Sequence, residues 1–174
     1  MNDKFYVPAQ ICLNGDICNS DMEYHQEVNK QYCPKCGQKT IDECPFCHTK
    51  LQGDYGCMSR DILEGQLHFH VFKRLSTPPA YCHNCGKPYP WTEATMRAAE
   101  HIIDMLDDLT EDQKKQLVDF IPDVIVETPQ SRYAALVYAK FLDGLQGLAV
   151  DCFKDWCKKN VFPTLLVLLN MQKQ

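Results

Sequence analysis

The sequence predicts a small metal-stabilised β region, two zinc ribbons over residues 5–90, followed by an all-α helical bundle over residues 92–174. Three observations lead there. Three C-x-x-C pairs stand in the first half, which places nine of the eleven cysteines before Gly86. Apolar residues at helical spacing begin just after Trp91 and continue through the second half. The stretch from Gln52 to Lys73, by contrast, has too little apolar periodicity to bury a large core unaided.

A length of 174 residues accommodates two small units. The N-terminal region carries Asp3 and Lys4 and builds no apolar run of the kind a signal peptide needs, so a cytoplasmic chain with reduced thiols is expected. In that setting an odd number of cysteines grouped in C-x-x-C pairs points to metal ligation and away from disulfides. The net charge is −5, with 9 Lys and Arg against 10 Asp and Glu in residues 1–90, and 9 against 13 in residues 91–174. Four thiolates outweigh one Zn²⁺, so metal makes the first half more negative still. That balance disfavours a broad nucleic-acid face, which needs cations to neutralise phosphates.

The pairs are Cys33-Pro34-Lys35-Cys36, Cys44-Pro45-Phe46-Cys47 and Cys82-His83-Asn84-Cys85. Two intervening residues let one tight turn aim both sulfurs at a single ion, at about 2.3 Å each. Pro34 and Pro45 fix φ after the first ligand, and Gly37 and Gly86 follow the second, where a positive φ is needed; His48 holds that place in the middle pair. A fourth turn is expected at Cys12-Leu13-Asn14-Gly15-Asp16-Ile17-Cys18, since Asn-Gly is a strong turn signal. Cys12 is its first ligand. Its second is Cys18, favoured as a soft thiolate, or Asp16, which has the shorter spacing and faces the same way on an extended strand.

Pairing in chain order gives site one as Cys12, Cys18, Cys33 and Cys36, and site two as Cys44, Cys47, Cys82 and Cys85. A cross-braced arrangement is the alternative, but the seven residues between Cys36 and Cys44 exceed its usual spacing. Eight ligands close two tetrahedral shells, so both zincs are expected to be structural. Redox dithiols normally come singly beside a βαβ pattern that is missing here.

Little in the sequence supports catalysis. His25-Gln26-Glu27 ahead of Cys33 and Cys36 superficially matches a zinc-deaminase signature, but five residues between Glu27 and Cys33 leave no room for the helix and strand that place those groups. His68 and His70 share one strand face and read as surface decoration. Cys57, Cys152 and Cys157 have no turn partner. The segment Tyr81 to Trp91 is dense in proline and aromatic residues, and its expected role is to pack over site two; the sharper reading is an aromatic platform for a peptide or an unstacked base.

In the second half, Thr92 is the expected N-cap of a helix carrying Ala98, Ala99, Ile102, Ile103, Leu106 and Leu109. Thr110 to Gln113 forms a capping box for a second, with Leu117, Val118, Phe120 and Ile121 inward and a stop near Pro122. Thr128-Pro129 opens a third along Ala134, Val137, Tyr138, Phe141 and Leu142, ended by Gly144 and Gly147. A fourth carries Leu148, Cys152, Phe153 and Trp156, and the run Val161 to Leu169 is apolar all round, which predicts burial or a partner interface. It falls short of the roughly 20 apolar residues of a membrane span.

The run Ala9 to Gly15, then Tyr32-Cys33-Pro34-Lys35-Cys36-Gly37 to Ile41, then Cys44 to Cys47, and above all Pro79 to Thr92, resembles a bacterial family of hypothetical proteins of unassigned function. The resemblance implies a bacterial zinc-ribbon protein and a first turn of the form C-x-N-G-H, with a histidine ligand where this chain has Asp16. It implies no activity. The expected function is therefore that of a non-enzymatic adaptor with two structural Zn²⁺, using its helical half for a protein partner or for self-association. A nucleic-acid-binding ribbon using Lys73, Arg74 and Lys87 is the alternative, and a metal-dependent enzyme has the least support.

Overall fold

The computed structural model describes residues 3–60 and 66–161, and the expected apolar segment from Phe162 to Leu169 lies outside them. The chain divides into two units, Met1–Glu93 and Ala94–Gln174. In the first, β1 (Lys4–Pro8), β5 (Gln52–Arg60) and β6 (Leu67–Lys73) form one antiparallel sheet in the order β1-β5-β6. A second small sheet joins β2 (Gln10–Cys12), β3 (Ile17–Asn19) and β4 (Thr40–Ile41) in the order β3-β2-β4.

The β5–β6 hairpin lies, in sequence, between the two halves of the second cysteine set. Its weak apolar pattern follows from this placement: one face of the sheet is an aromatic row in which Tyr6 meets Tyr55 at 4.7 Å and Tyr55 meets Phe72 at 6.5 Å, and Tyr6 and Phe72 are largely exposed. At the start of β5 the strands close tightly. A Cβ on Gly53 would fall 2.1 Å from the Ser20 carbonyl oxygen and 2.8 Å from that of Val7, so only glycine fits there. The carboxylate of buried Asp54 accepts from the Leu75 amide at 2.8 Å and holds the exit of β6.

The apolar core of this unit is small: Ala9, Ile11, Leu51, Tyr89 and Trp91, in contact with Cys44 and Cys82. Tyr89 and Trp91 stack at 4.8 Å, and Trp91 donates its indole N–H to the Pro79 carbonyl at 2.8 Å. These two rings are thus packing groups, and no platform is formed by them.

Among the described residues, five α-helices follow: α1 (Pro90–Asp104), α2 (Glu111–Asp119), α3 (Ile121–Ile125), α4 (Ser131–Leu142) and α5 (Leu148–Asn160). The helical core gathers Ile103, Leu117, Ile121, Tyr138, Phe153 and Trp156, with Phe153 stacked between Tyr138 and Trp156 at 5.6 Å from each. The Thr110 capping box is present, with Gln113 reciprocating.

Several expected boundaries move. Thr92 does not cap α1, which starts two residues earlier; its hydroxyl donates instead to the Ala80 carbonyl at 2.8 Å. The helix ends at Asp104, and Leu106 and Leu109 are buried from the following turns. The second helix does stop near Pro122, at Asp119, but Phe120 is its C-cap and Ile121 belongs to α3, whose first turn takes Pro122 because the missing N–H costs nothing there. In α5 the inward positions are Val150, Phe153, Trp156 and Cys157, while Leu148 and Cys152 are exposed, because one helical stripe cannot include all of them.

Candidate metal centres

The three C-x-x-C pairs fold as the same turn. The Cys33 amide donates to the Gln38 carbonyl and the Gly37 amide to the Cys33 carbonyl; Cys44 with Thr49 and His48, and Cys82 with Lys87 and Gly86, repeat the pattern, all at 2.8–2.9 Å. Each turn is closed by an antiparallel bridge, Tyr32 with Lys39, Glu43 with Lys50 and Tyr81 with Pro88. The residue after the second cysteine has φ +73° at Gly37, +58° at His48 and +70° at Gly86. His48 thus takes the left-handed conformation that its place in the motif demands, at a modest steric cost. The Asn14-Gly15 turn is the fourth, with the Gly15 amide on the Cys12 carbonyl at 2.8 Å.

Two clusters result. Cys44, Cys47, Cys82 and Cys85 bring four sulfurs within 4.8 Å of one another; Cys12, Asp16, Cys33 and Cys36 do the same with three sulfurs and a carboxylate oxygen. The grouping therefore follows chain order and is not cross-braced. A tetrahedral zinc with bonds of about 2.3 Å to sulfur requires S···S edges of about 3.8 Å, and S···O edges of about 3.5 Å to a carboxylate. The Cys44–Cys85 and Cys47–Cys82 separations are 3.8 and 3.6 Å. Cys12 lies 3.6 Å from Cys36, and Asp16 Oδ2 lies 3.6 and 3.8 Å from the sulfurs of Cys12 and Cys33. Both donor sets fit a tetrahedral ion of that size.

The place expected for Cys18 in the first set is taken by Asp16. The Asn14-Gly15 turn returns the chain so that the Asp16 amide lies 3.3 Å from Cys12 Sγ, carrying its carboxylate into the cluster. Cys18, two residues further along β3, sits beside Cys33 with its thiol on the Asp16 carbonyl at 3.6 Å. The other oxygen of Asp16 meets Lys35 Nζ at 2.5 Å. This partner lies between the two cysteines of its own knuckle, but its reach back to Asp16 could not be read from spacing. The Lys35 ammonium holds the Asp16 carboxyl below its ordinary range and leaves it an anion.

Within each cluster, neighbouring thiols are driven in opposite directions. In the second, the Thr49 hydroxyl and amide, then the Asn84 side chain, push Cys47 down to about 5, whereas Cys85 is pushed up to about 11, burial and the sulfurs of Cys47 and Cys82 outweighing the Lys87 amide that draws it down. In the first, burial drives Cys12 up to about 12 against the Asp16 and Asn14 amides. Burial also opposes ionisation of Cys33, yet the Lys35 and Cys36 amides outweigh it and draw that thiol down. Neighbouring thiols driven in opposite directions are the mark of like charges that cannot all form without a counter-ion. Tyr89 adds a phenol beside Cys82, buried and held neutral.

Other candidates stay apart. His68 and His70 are exposed on β6, and Cys57 faces His70 across the β5–β6 ladder; among the described residues no third ligand joins them in a set. His25 pairs with Glu27 at 3.4 Å on the surface, away from either cluster. No helix among the described residues is long and apolar enough to cross a membrane.

A family model described as an uncharacterized protein conserved in bacteria, DUF2321, matches residues 5–161. The chain belongs to this family. The match takes in all eight clustered ligands and the five α-helices of the described residues. Its description assigns no metal and no activity, and the metal reading rests on ligand geometry. No curated protein and no solved structure matches the sequence.

Proposed function

We propose that the N-terminal unit is a pair of zinc ribbons in which Cys12, Asp16, Cys33 and Cys36 hold one Zn²⁺ and Cys44, Cys47, Cys82 and Cys85 hold the other. Both ions are structural, and the protein acts by binding, with no catalysis of its own. The observation that carries this reading is that each cluster offers four ligand atoms at tetrahedral separations, which closes the shell and leaves no position for a reacting water. Sulfur-rich tetrahedral sets favour zinc over the harder divalent ions.

The helical unit supplies the partner surface. Tyr133 and Leu136 lie one turn apart on α4 and are 56% and 65% exposed, a pair of apolar groups that a protein partner or a second copy would cover. The acidic overall charge suits protein binding better than broad phosphate binding.

Metal analysis of protein purified without chelator tests the first part: two zincs per chain are expected, and fewer than about two would sink it. In a Trp156→Phe chain, where Trp91 is the remaining indole, chelation should unfold the ribbon unit as read by tryptophan emission while helical ellipticity persists. Structural zinc contributes about 10–16 kcal/mol per site in small peptides. Sedimentation of the wild type and of Leu136→Lys, with crosslinking to bound partners, tests the second part. A monomer that crosslinks to nothing, or an assembly untouched by the substitution, would refute that surface.

A further inference from the structure

A cavity of about 310 Å³ opens in the ribbon unit, between the β6 exit and the third knuckle. Ligand sites run from about 300 to 1,000 Å³, so this one suits a small ligand. Its lining is cationic and aromatic. Twelve residues line it, none acidic, in a protein of net charge −5. Lys73 and Arg74, adjacent in the chain, both line it, as do Ser76 and Thr77. Tyr6, Tyr81 and Tyr89 supply aromatic walls, and His83, inside the third knuckle, completes the rim.

Two lining residues are held in place: Leu75, next to Arg74, donates its amide to Asp54, and the Pro79 carbonyl accepts from the Trp91 indole. Tyr6 is backed by Tyr55 at 4.7 Å yet is 46% exposed, so its ring is presented and not buried. Adjacent lysine and arginine can clamp a phosphate, the arginine bidentately, while rigid tyrosine faces stack on a planar ring.

We propose that this pocket binds a phosphorylated nucleoside, with Lys73 and Arg74 on the phosphate and Tyr6 and Tyr81 against the base. A cavity of this size suits one nucleotide unit. The same chemistry is offered by a free mononucleotide and by the 5′-phosphorylated end of a single strand. This site is separate from the helical surface and does not depend on the adaptor reading.

The test is calorimetric titration of the full zinc-loaded chain with the four ribonucleoside 5′-monophosphates, with adenosine, and with a 5′-phosphorylated single-stranded octamer and its unphosphorylated counterpart. Saturable binding of at least one monophosphate, weakened tenfold or more in Lys73→Gln/Arg74→Gln and for adenosine, is expected. Binding of the phosphorylated octamer alone would assign the strand end as the source. The variant keeps both metal clusters intact, and its zinc content and circular dichroism check the fold. No saturable binding of either ligand, binding that ignores the phosphate, or equal binding by the variant would each overturn the proposal.

Discussion

Replacing Asp16 and Cys18 in turn separates the two ligand sets that chain spacing allows. Asp16 Oδ2 lies 3.6 and 3.8 Å from Cys12 and Cys33 Sγ, so Asp16→Ala leaves three thiolates and opens the fourth position to water. Changes to groups that merely support a ligand cost about 10–100-fold in metal affinity. Losing the ligand itself should exceed about 100-fold, more than about 2.7 kcal/mol. Cys18→Ser should change affinity by less than about threefold, because its thiol faces the Asp16 carbonyl and adds nothing to the shell. Asp16→His should retain the metal, an imidazole being a sound zinc ligand. The assay is competition with a chromophoric chelator, joined to cobalt substitution, whose thiolate charge-transfer band counts three sulfurs at site one and four at site two. A Cys18→Ser protein that loses metal and one sulfur from that count, beside an unaffected Asp16→Ala, would refute the assignment.

Metal affinity should rise with pH through the neutral range. Cys12 and Cys85, held up at about 12 and 11, are protonated at pH 7 before metal arrives and must release protons on binding, whereas Cys47, at about 5, is already a thiolate. Calorimetry in buffers of differing ionisation enthalpy should therefore show net proton release, and none would contradict the cluster electrostatics. Lys35→Met should weaken site one by about 10–100-fold, because it removes the partner that orients the Asp16 carboxylate; competition titration would show the loss confined to one of two zincs. In the helical unit, Phe153→Ala should cost about 3–5 kcal/mol in urea denaturation, since the ring is fully buried between Tyr138 and Trp156. Gly53→Ala should destabilise the ribbon unit and leave helical ellipticity unchanged, because its Cβ would strike two carbonyl oxygens.

Much of the candidate site was legible because a C-x-x-C turn is a local device. Three repeats of one hydrogen-bond pattern, each completed by a residue of positive φ, follow from six consecutive residues, as in 33–38. The Thr110 capping box is local in the same sense and appears where the residues predict it. The helix limits were less legible. Pro122 serves the first turn of α3 as readily as it ends α2, and Thr92 is drawn to the Ala80 carbonyl in preference to a capping role.

By itself, the sequence determined the cysteine turns, their number and the start of helix near Trp91, since each depends on neighbours in the chain. Tertiary structure decided the rest. The choice of Asp16 over Cys18 depends on how far the Asn14-Gly15 turn rotates β3 and on Lys35 arriving from another segment to hold the carboxylate. The β5–β6 hairpin had no strong periodic signal because much of its sheet is exposed, and its pairing with β1 joins residues some fifty positions apart. The anion-suited pocket is likewise a product of distance in the chain: Tyr6, Arg74 and Tyr81 share it only because the strand and knuckle that bear them meet in three dimensions.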